Sequence, residues 1–264
     1  KISFLREPEA NIPKTYIGEG GVGGLNHFVV QPVKMSKFQS KNYMLAYEYD
    51  KSGQRGVFTN SREASLFIFP DGSYGKNGFQ KYIIENKKDS GKYIMNNDFR
   101  IELKGENDTE TLEKIKKYSA VYAAVIEKIL KTNGNCFVYS SIVQGSGAIC
   151  LSLLLELFGF SRANGGEKTK GLRYGILTTK TSSTQDIRRI LGLYNSKNNM
   201  KGECVKVIIG SRSISEGFSL KNVVYEAILT PHWNYSETAQ AIARGVRLNS
   251  HADLYLEGES PVVE

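Results

Sequence analysis

The chain has 264 residues, of which 40% are hydrophobic and 23% charged, a composition ordinary for a soluble globular protein of one large domain or a core plus a small module. Its longest apolar stretch, Ile149 to Phe158, is broken by Ser152 and Glu156, so it falls short of the roughly 20 residues a membrane-spanning helix needs. The formal charge of +8, with a pI near 9.2, suits a polyanionic partner such as a nucleic acid, although solubility alone accounts for it about equally well. No secretory signal opens the chain, and a first residue that is Lys1 rather than Met reads as the start of a fragment.

In chain order, residues 1–110 show little regular patterning. Gly18-Glu-Gly-Gly-Val-Gly-Gly24 is a loop that lacks the Lys-Ser/Thr completing a phosphate loop. His27 to Val33 suits a strand, Ser36 to Glu48 a helix begun by Ser36, and Asp71-Gly-Ser-Tyr-Gly75 a turn. Residues 81–110, rich in Lys, Glu, Asp and Asn, are expected to face solvent. From Glu110 the texture changes. Leu112, Ile115, Tyr118, Tyr122, Val125, Ile126 and Ile129 recur at helical spacing until Asn133-Gly134. A strand is predicted over Cys136–Ser140, then a helix over Gly147–Phe158 that is apolar nearly all round. A strand over Leu172–Thr178 and a helix over Gln185–Tyr194 follow, then strands over Val205–Ile209 and Val223–Leu229, and a helix over Glu237–Arg247.

This alternation predicts an α/β fold over residues 111–264, a doubly wound parallel sheet with helices on both faces, behind an irregular N-terminal arm and insertion of residues 1–110. Cys136, Cys150 and Cys204 lie apart in apolar runs and read as buried thiols, while His27, His232 and His251 are scattered, so no metal site is expected.

Ligands of such sheets bind beyond the carboxyl ends of the strands. The expected strand ends carry Ser140 and Ser141, then Thr178, Thr179 and Lys180, then Ser211, Arg212, Glu216 and Gly217. Hydroxyls, glycine and positive charge suit phosphate oxygens, though Ser182 or Ser183 would equally serve as a helix cap. On the last helix Gln240, Arg244 and Arg247, spaced four and three, would share a face, with Ala239, Ile242, Ala243 and Val246 packing behind them. Two guanidiniums so placed can reach a triphosphate held by a neighbouring surface; alone, such a pair is more often a solvated or salt-bridged face.

Gln240-Ala-Ile-Ala-Arg-Gly-Val-Arg247 resembles motif VI of superfamily 2 helicases, Q-x-x-G-R-x-x-R, with Ala243 where the motif usually has Gly. Pro231-His-Trp-Asn234 is similar to the Trp-Asn element before that motif in Swi/Snf-type translocases. Gly210-Ser-Arg-Ser-Ile-Ser-Glu-Gly-Phe-Ser-Leu220 resembles motif V, and Phe137-Val-Tyr-Ser-Ser141 motif IV. Within the superfamily, Ser61–Gly72 and Arg247-Leu-Asn-Ser-His251 resemble helicase-like ATPases of large cytoplasmic DNA viruses of the poxvirus, African swine fever virus and mimivirus type.

The resemblance implies the second RecA-like lobe of an ATP-dependent helicase or translocase, ending at Pro261–Glu264 where a last strand would begin. ATP with Mg2+ would be held mainly by a first lobe of the same polypeptide, since neither its phosphate loop nor its Asp-Glu pair occurs here. Arg244 and Arg247 would contact the γ-phosphate, with Gln240 and the Glu216-Gly217 turn coupling nucleotide state to lobe closure. Ser140, Ser141, Thr178, Thr179, Ser211 and Arg212 would line a DNA or RNA backbone with little sequence preference. Further implications are a part in viral transcription or replication, contact with viral transcription machinery but with no membrane, and a place in the host cytoplasm, at viral factories, or in the virion. The fragment alone is expected to be inactive. The rival readings are a non-catalytic nucleic-acid-binding or scaffold module of the same fold, and a nucleotide-sugar transferase lobe.

Overall fold

The computed structural model describes residues 31–53, 58–86, 89, 91–167, 169–212, 218–231, 235–246, 250–258 and 263. The Gly18–Gly24 loop and the first part of the expected His27–Val33 strand lie outside the described residues, and its last three residues are coil. Helix α1 spans Lys37–Lys51 and begins as its sequence predicts, the Ser36 hydroxyl accepting from the Gln39 N–H at 2.9 Å. Helices α2 (Thr59–Leu66), α3 (Gly75–Tyr82) and α4 (Asn97–Leu103) follow, with an antiparallel hairpin of β1 (Ile83–Glu85) and β2 (Tyr93–Met95) between the last two.

This stretch is more regular than its sequence suggested. Its helices are too short for apolar spacing to stand out, and they bury small or polar residues beside large ones: Ser61, Ala64 and Leu66 in α2, and Gly75, Gly78 and Phe79 in α3. Gly78 is needed for close approach, since a Cβ there would lie 2.0 Å from the Phe69 ring. Nor is 81–110 wholly exposed: Ile83, Phe99 and Leu103 are buried.

The single helix expected from Leu112 to Ile129 is two helices, α5 (Asp108–Tyr118) and α6 (Ala120–Lys131). The break falls at Ser119, an extended residue whose hydroxyl caps α6 by accepting from the Tyr122 N–H and donates to the Leu66 carbonyl. Both helices put apolar residues on the same side of the pair, so the periodicity carries across the break and hides it.

The remaining strands are β3 (Asn135–Tyr139), β4 (Ser161–Arg162), β5 (Arg173–Leu177), β6 (Val207–Gly210) and β7 (Val223–Ile228). Among them run α7 (Ala148–Glu156), α8 (Thr184–Tyr194) and α9 (Tyr235–Ile242), with α10 (Ala252–Leu256) last. The five strands form one parallel sheet in the order β4-β5-β6-β3-β7, the α/β architecture that the alternation predicted.

Side chains alternate along each strand. Cys136, Val138, Ile176, Val207 and Ile209 therefore pack towards α6 and α7, while Phe137, Tyr139, Leu177, Ile208 and Val223 pack towards α8 and Ala241 of α9. The first layer takes in Phe67, Phe69 and Phe99 as well, and the Phe67 ring stacks near Tyr118 and Tyr122, so the early helices share this core. All three cysteines are buried, and burial pushes the Cys136 thiol up to about 12. Among the described residues no helix is long and apolar enough to cross a membrane.

Candidate functional site

The expected site residues fall in two places on the sheet. At the carboxyl edge, Ser140 is fully buried, its N–H donating to the Gly210 carbonyl and its hydroxyl to the Ile142 carbonyl at 2.8 Å. Thr178 is buried too, its hydroxyl 2.9 Å from that of Thr181, and Ser211 is likewise buried. These three shape the turns and face inward. Ser141, Thr179 and Arg212 reach the surface. The Ser141 N–H donates to the Thr230 hydroxyl at 2.6 Å, which ties the end of β3 to the end of β7. Ser183, the alternative offered for this region, does cap α8, in a capping box with Asp186.

Lys180, already expected at this edge, is joined there by Gln144, Arg62 and Glu63. Lys180 donates to the Gln144 amide oxygen at 2.9 Å, and Arg62 of α2 lies 3.5 Å from the Ser141 hydroxyl. Lys180 stood beside the expected Thr179 and carries the positive charge a phosphate needs. Arg62 is 79 positions from Ser141, and no local pattern could have joined them. Glu63 lies behind the same loop, its carboxylate accepting from the Ser146 N–H at 2.7 Å, and burial holds its ionisation above the ordinary range against that bond.

The second place is the turn after α9. The helix was expected to run to Arg247, but it stops at Ile242, and residues 243–245 turn back through bonds from the Arg244 N–H to Ala241 and from the Gly245 N–H to Ile242. Gln240 and Arg244 therefore do not share one helical face. Ala241 and Ile242 are the buried pair, whereas Ala243, assigned to the packing face, is exposed. Three residues past the helix end, Gly245 packs closely on β7: a Cβ there would lie 2.5 Å from the Glu226 carboxylate.

Arg244 is 9% exposed, and its guanidinium donates to the Phe218 carbonyl at 2.9 Å while its own carbonyl accepts from the Leu220 N–H at 3.1 Å. It thus binds the turn to the segment that leaves β6 at Ser211. Gln240 is half-buried. Glu216, Gly217, Arg247 and the Trp233-Asn234 pair lie outside the described residues. Glu226 is half-buried, but its carboxylate is buried against the turn with neither oxygen hydrogen-bonded, and burial pushes its ionisation well above the usual carboxylate range.

Among the described residues no group of His, Cys, Asp and Glu gathers as a metal site.

Residues 116–249 match the family model described as the helicase conserved C-terminal domain. The chain is 44% identical over 260 residues to "Putative helicase 087L" of Invertebrate iridescent virus 3, covering 96% of this chain and 25% of that protein. It is 30% identical over 243 residues to "Nucleoside triphosphatase I" of Melanoplus sanguinipes entomopoxvirus, covering 85% of this chain and 35% of that protein. The chain thus spans between a quarter and about a third of the length of these curated relatives.

Proposed function

We propose, from the premise that this chain belongs to the helicase conserved C-terminal domain family, that it is the second lobe of an ATP-driven nucleic-acid translocase or helicase of a cytoplasmic DNA virus. One observation carries the reading. The segment after β6 begins at the carboxyl edge with Ser211 and Arg212 and returns at Phe218 and Leu220 to grip Arg244. A single stretch therefore spans the surface suited to a polymer backbone and the turn suited to a nucleotide, which is the connection a coupled motor requires.

On this reading Ser141, Thr179, Lys180 and Arg212 contact backbone phosphates of DNA or RNA, giving affinity without sequence preference. The buried hydroxyls of Ser140, Thr178 and Ser211 hold the turns that present them. ATP with Mg2+ sits mainly on a first lobe of the same polypeptide, and the nucleotide there is the phosphoryl donor. Arg247, Arg244 and Gln240 approach it from this lobe, the arginines offsetting charge that develops on the transferring group, an effect worth about 10³ to 10⁵ in rate. Glu216 and Gly217, which lie in sequence between Arg212 and Phe218, would relay closure. Action in viral transcription or replication, in the host cytoplasm or the virion, accords with the sources of the relatives.

In the full-length protein, Arg247→Ala is expected to lower ATP turnover at least 10³-fold while nucleic-acid affinity changes little; unchanged turnover would remove the finger assignment. The burial of Arg244 favours a second reading, a non-hydrolysing binding module in which that arginine only holds the turn. The same variant decides between them.

A further inference from the structure

The β1–β2 hairpin and α3, which match no part of the motifs above, form one wall of a cleft of about 930 Å³ whose other wall is the loop after β3. That volume lies within the range of about 300–1,000 Å³ typical of small-molecule pockets. Phe79 and Tyr93 line it, with ring centroids 5.5 Å apart and planes at 65°, beside Ile84 and Ile142, while Lys76, Gln144 and the carboxylates of Glu63 and Glu85 are among its polar groups.

The cleft is joined to the carboxyl edge by side chains. The Gln144 amide donates to the Tyr93 phenol at 3.3 Å and accepts from Lys180, the neighbour of Thr179. Arg162 holds the hairpin in place by donating to the Gly91 carbonyl at 2.8 Å and to the Thr181 carbonyl. A strand whose phosphates lie along Ser141, Thr179 and Lys180 therefore has an aromatic and aliphatic slot beside it.

We propose that this cleft receives an unpaired nucleobase of the bound strand; the inference rests on the nucleic-acid reading above. Tyr93 is half-buried and Ile84 is 49% exposed, so ring and side chain remain accessible to a flat heterocycle, and any base offers a face to stack. Gln144 presents both donor and acceptor chemistry at the junction with the phosphate track, and Lys76 adds a cation. A hydrophobic peptide would cover the apolar wall but give the Gln144–Lys180 junction nothing to match.

The test titrates the full-length protein with a homothymidine oligonucleotide and with an equal strand of abasic sites, read by fluorescence anisotropy. The base-bearing strand should bind about tenfold more tightly. Tyr93→Ala should erase that difference and Tyr93→Phe should keep it. Because Tyr93→Ala could fail to fold, a 4-thiothymidine strand photo-crosslinked to the wild-type protein is mapped as well, and adducts are expected within residues 79–95. Equal affinity for both strands, or adducts confined to other segments, overturns the cleft and leaves the backbone contacts standing. Binding of neither strand overturns the nucleic-acid reading and the cleft with it.

Discussion

Arg244 and Glu226 are two charged residues beside one turn with different hydrogen bonding. The arginine is buried, its guanidinium donating to the Phe218 carbonyl through one terminal nitrogen while Nε has no hydrogen-bond partner; the glutamate carboxylate is buried with neither oxygen hydrogen-bonded. Arg244→Ala would leave the Phe218 carbonyl without this partner, a loss of about 1–3 kcal/mol. We therefore expect a lower denaturation midpoint together with reduced turnover, whereas Arg247→Ala should reduce turnover alone. An Arg244→Ala protein as stable as wild type would show the bridge to be dispensable. For Glu226 the sign follows from burial. The folded chain keeps a proton that the unfolded chain releases near pH 4.5, so the contribution is fully present below that pH and is lost as pH rises towards the elevated folded value. The loss amounts to about 1.4 kcal/mol per pH unit within that window. Glu226→Gln has no such proton, so its melting temperature should exceed that of wild type by several degrees at alkaline pH, with the two converging at acid pH. A constant difference across the range would mean that Glu226 titrates alike in the folded and unfolded chains.

At the scale of elements, the most informative joint is Ser119. Its hydroxyl caps α6 and ties it to the end of α2, so Ser119→Ala should cost about 1–2 kcal/mol, read as a shift in the urea midpoint with unchanged slope. The same residue marks a limit of reading from sequence. Local patterns located β3, β5, β6, β7, α7 and α8 to within a few residues, because strands buried on both faces and a helix buried all round leave long apolar signatures. They missed the break at Ser119 because periodicity continued across it. They overran α9 because the residues past Ile242 are held by contacts distant in sequence, Arg244 with Phe218 and Leu220, and Gly245 against Glu226. The short α2, α3 and α4 left no apolar signature at all. The site was legible in the same uneven way. Hydroxyls at strand ends do fall at the carboxyl edge of the sheet, yet three of the five, Ser140, Thr178 and Ser211, turn inward, since a buried turn needs hydroxyl partners as much as a phosphate does. Arg62 and Gln144 were invisible because they act across long gaps in the chain.

For the whole molecule, the 264 residues contain no Gly-x-x-x-x-Gly-Lys-Ser/Thr stretch, so this chain alone should hydrolyse ATP negligibly, measured as phosphate release with Mg2+ and nucleic acid present. Robust turnover from it would overturn the two-lobe reading. The sheet order β4-β5-β6-β3-β7 has a further consequence, for the way the chain acquires its structure. Interior strand β3 pairs on both sides with strands made much later, β6 through Cys136 opposite Val207 and β7 through Tyr139 opposite Ile228, and beside β7 the Ser141 N–H reaches Thr230 89 positions on. Until those strands arrive, β3 has neither lateral neighbour and α7, apolar nearly all round, has no finished sheet to lie on. Closing loops of that length before any pairing rewards them makes folding slow and leaves nascent chains prone to associate with one another. A chain that stopped before Val223 would leave β3 and its apolar surroundings without their β7 neighbour.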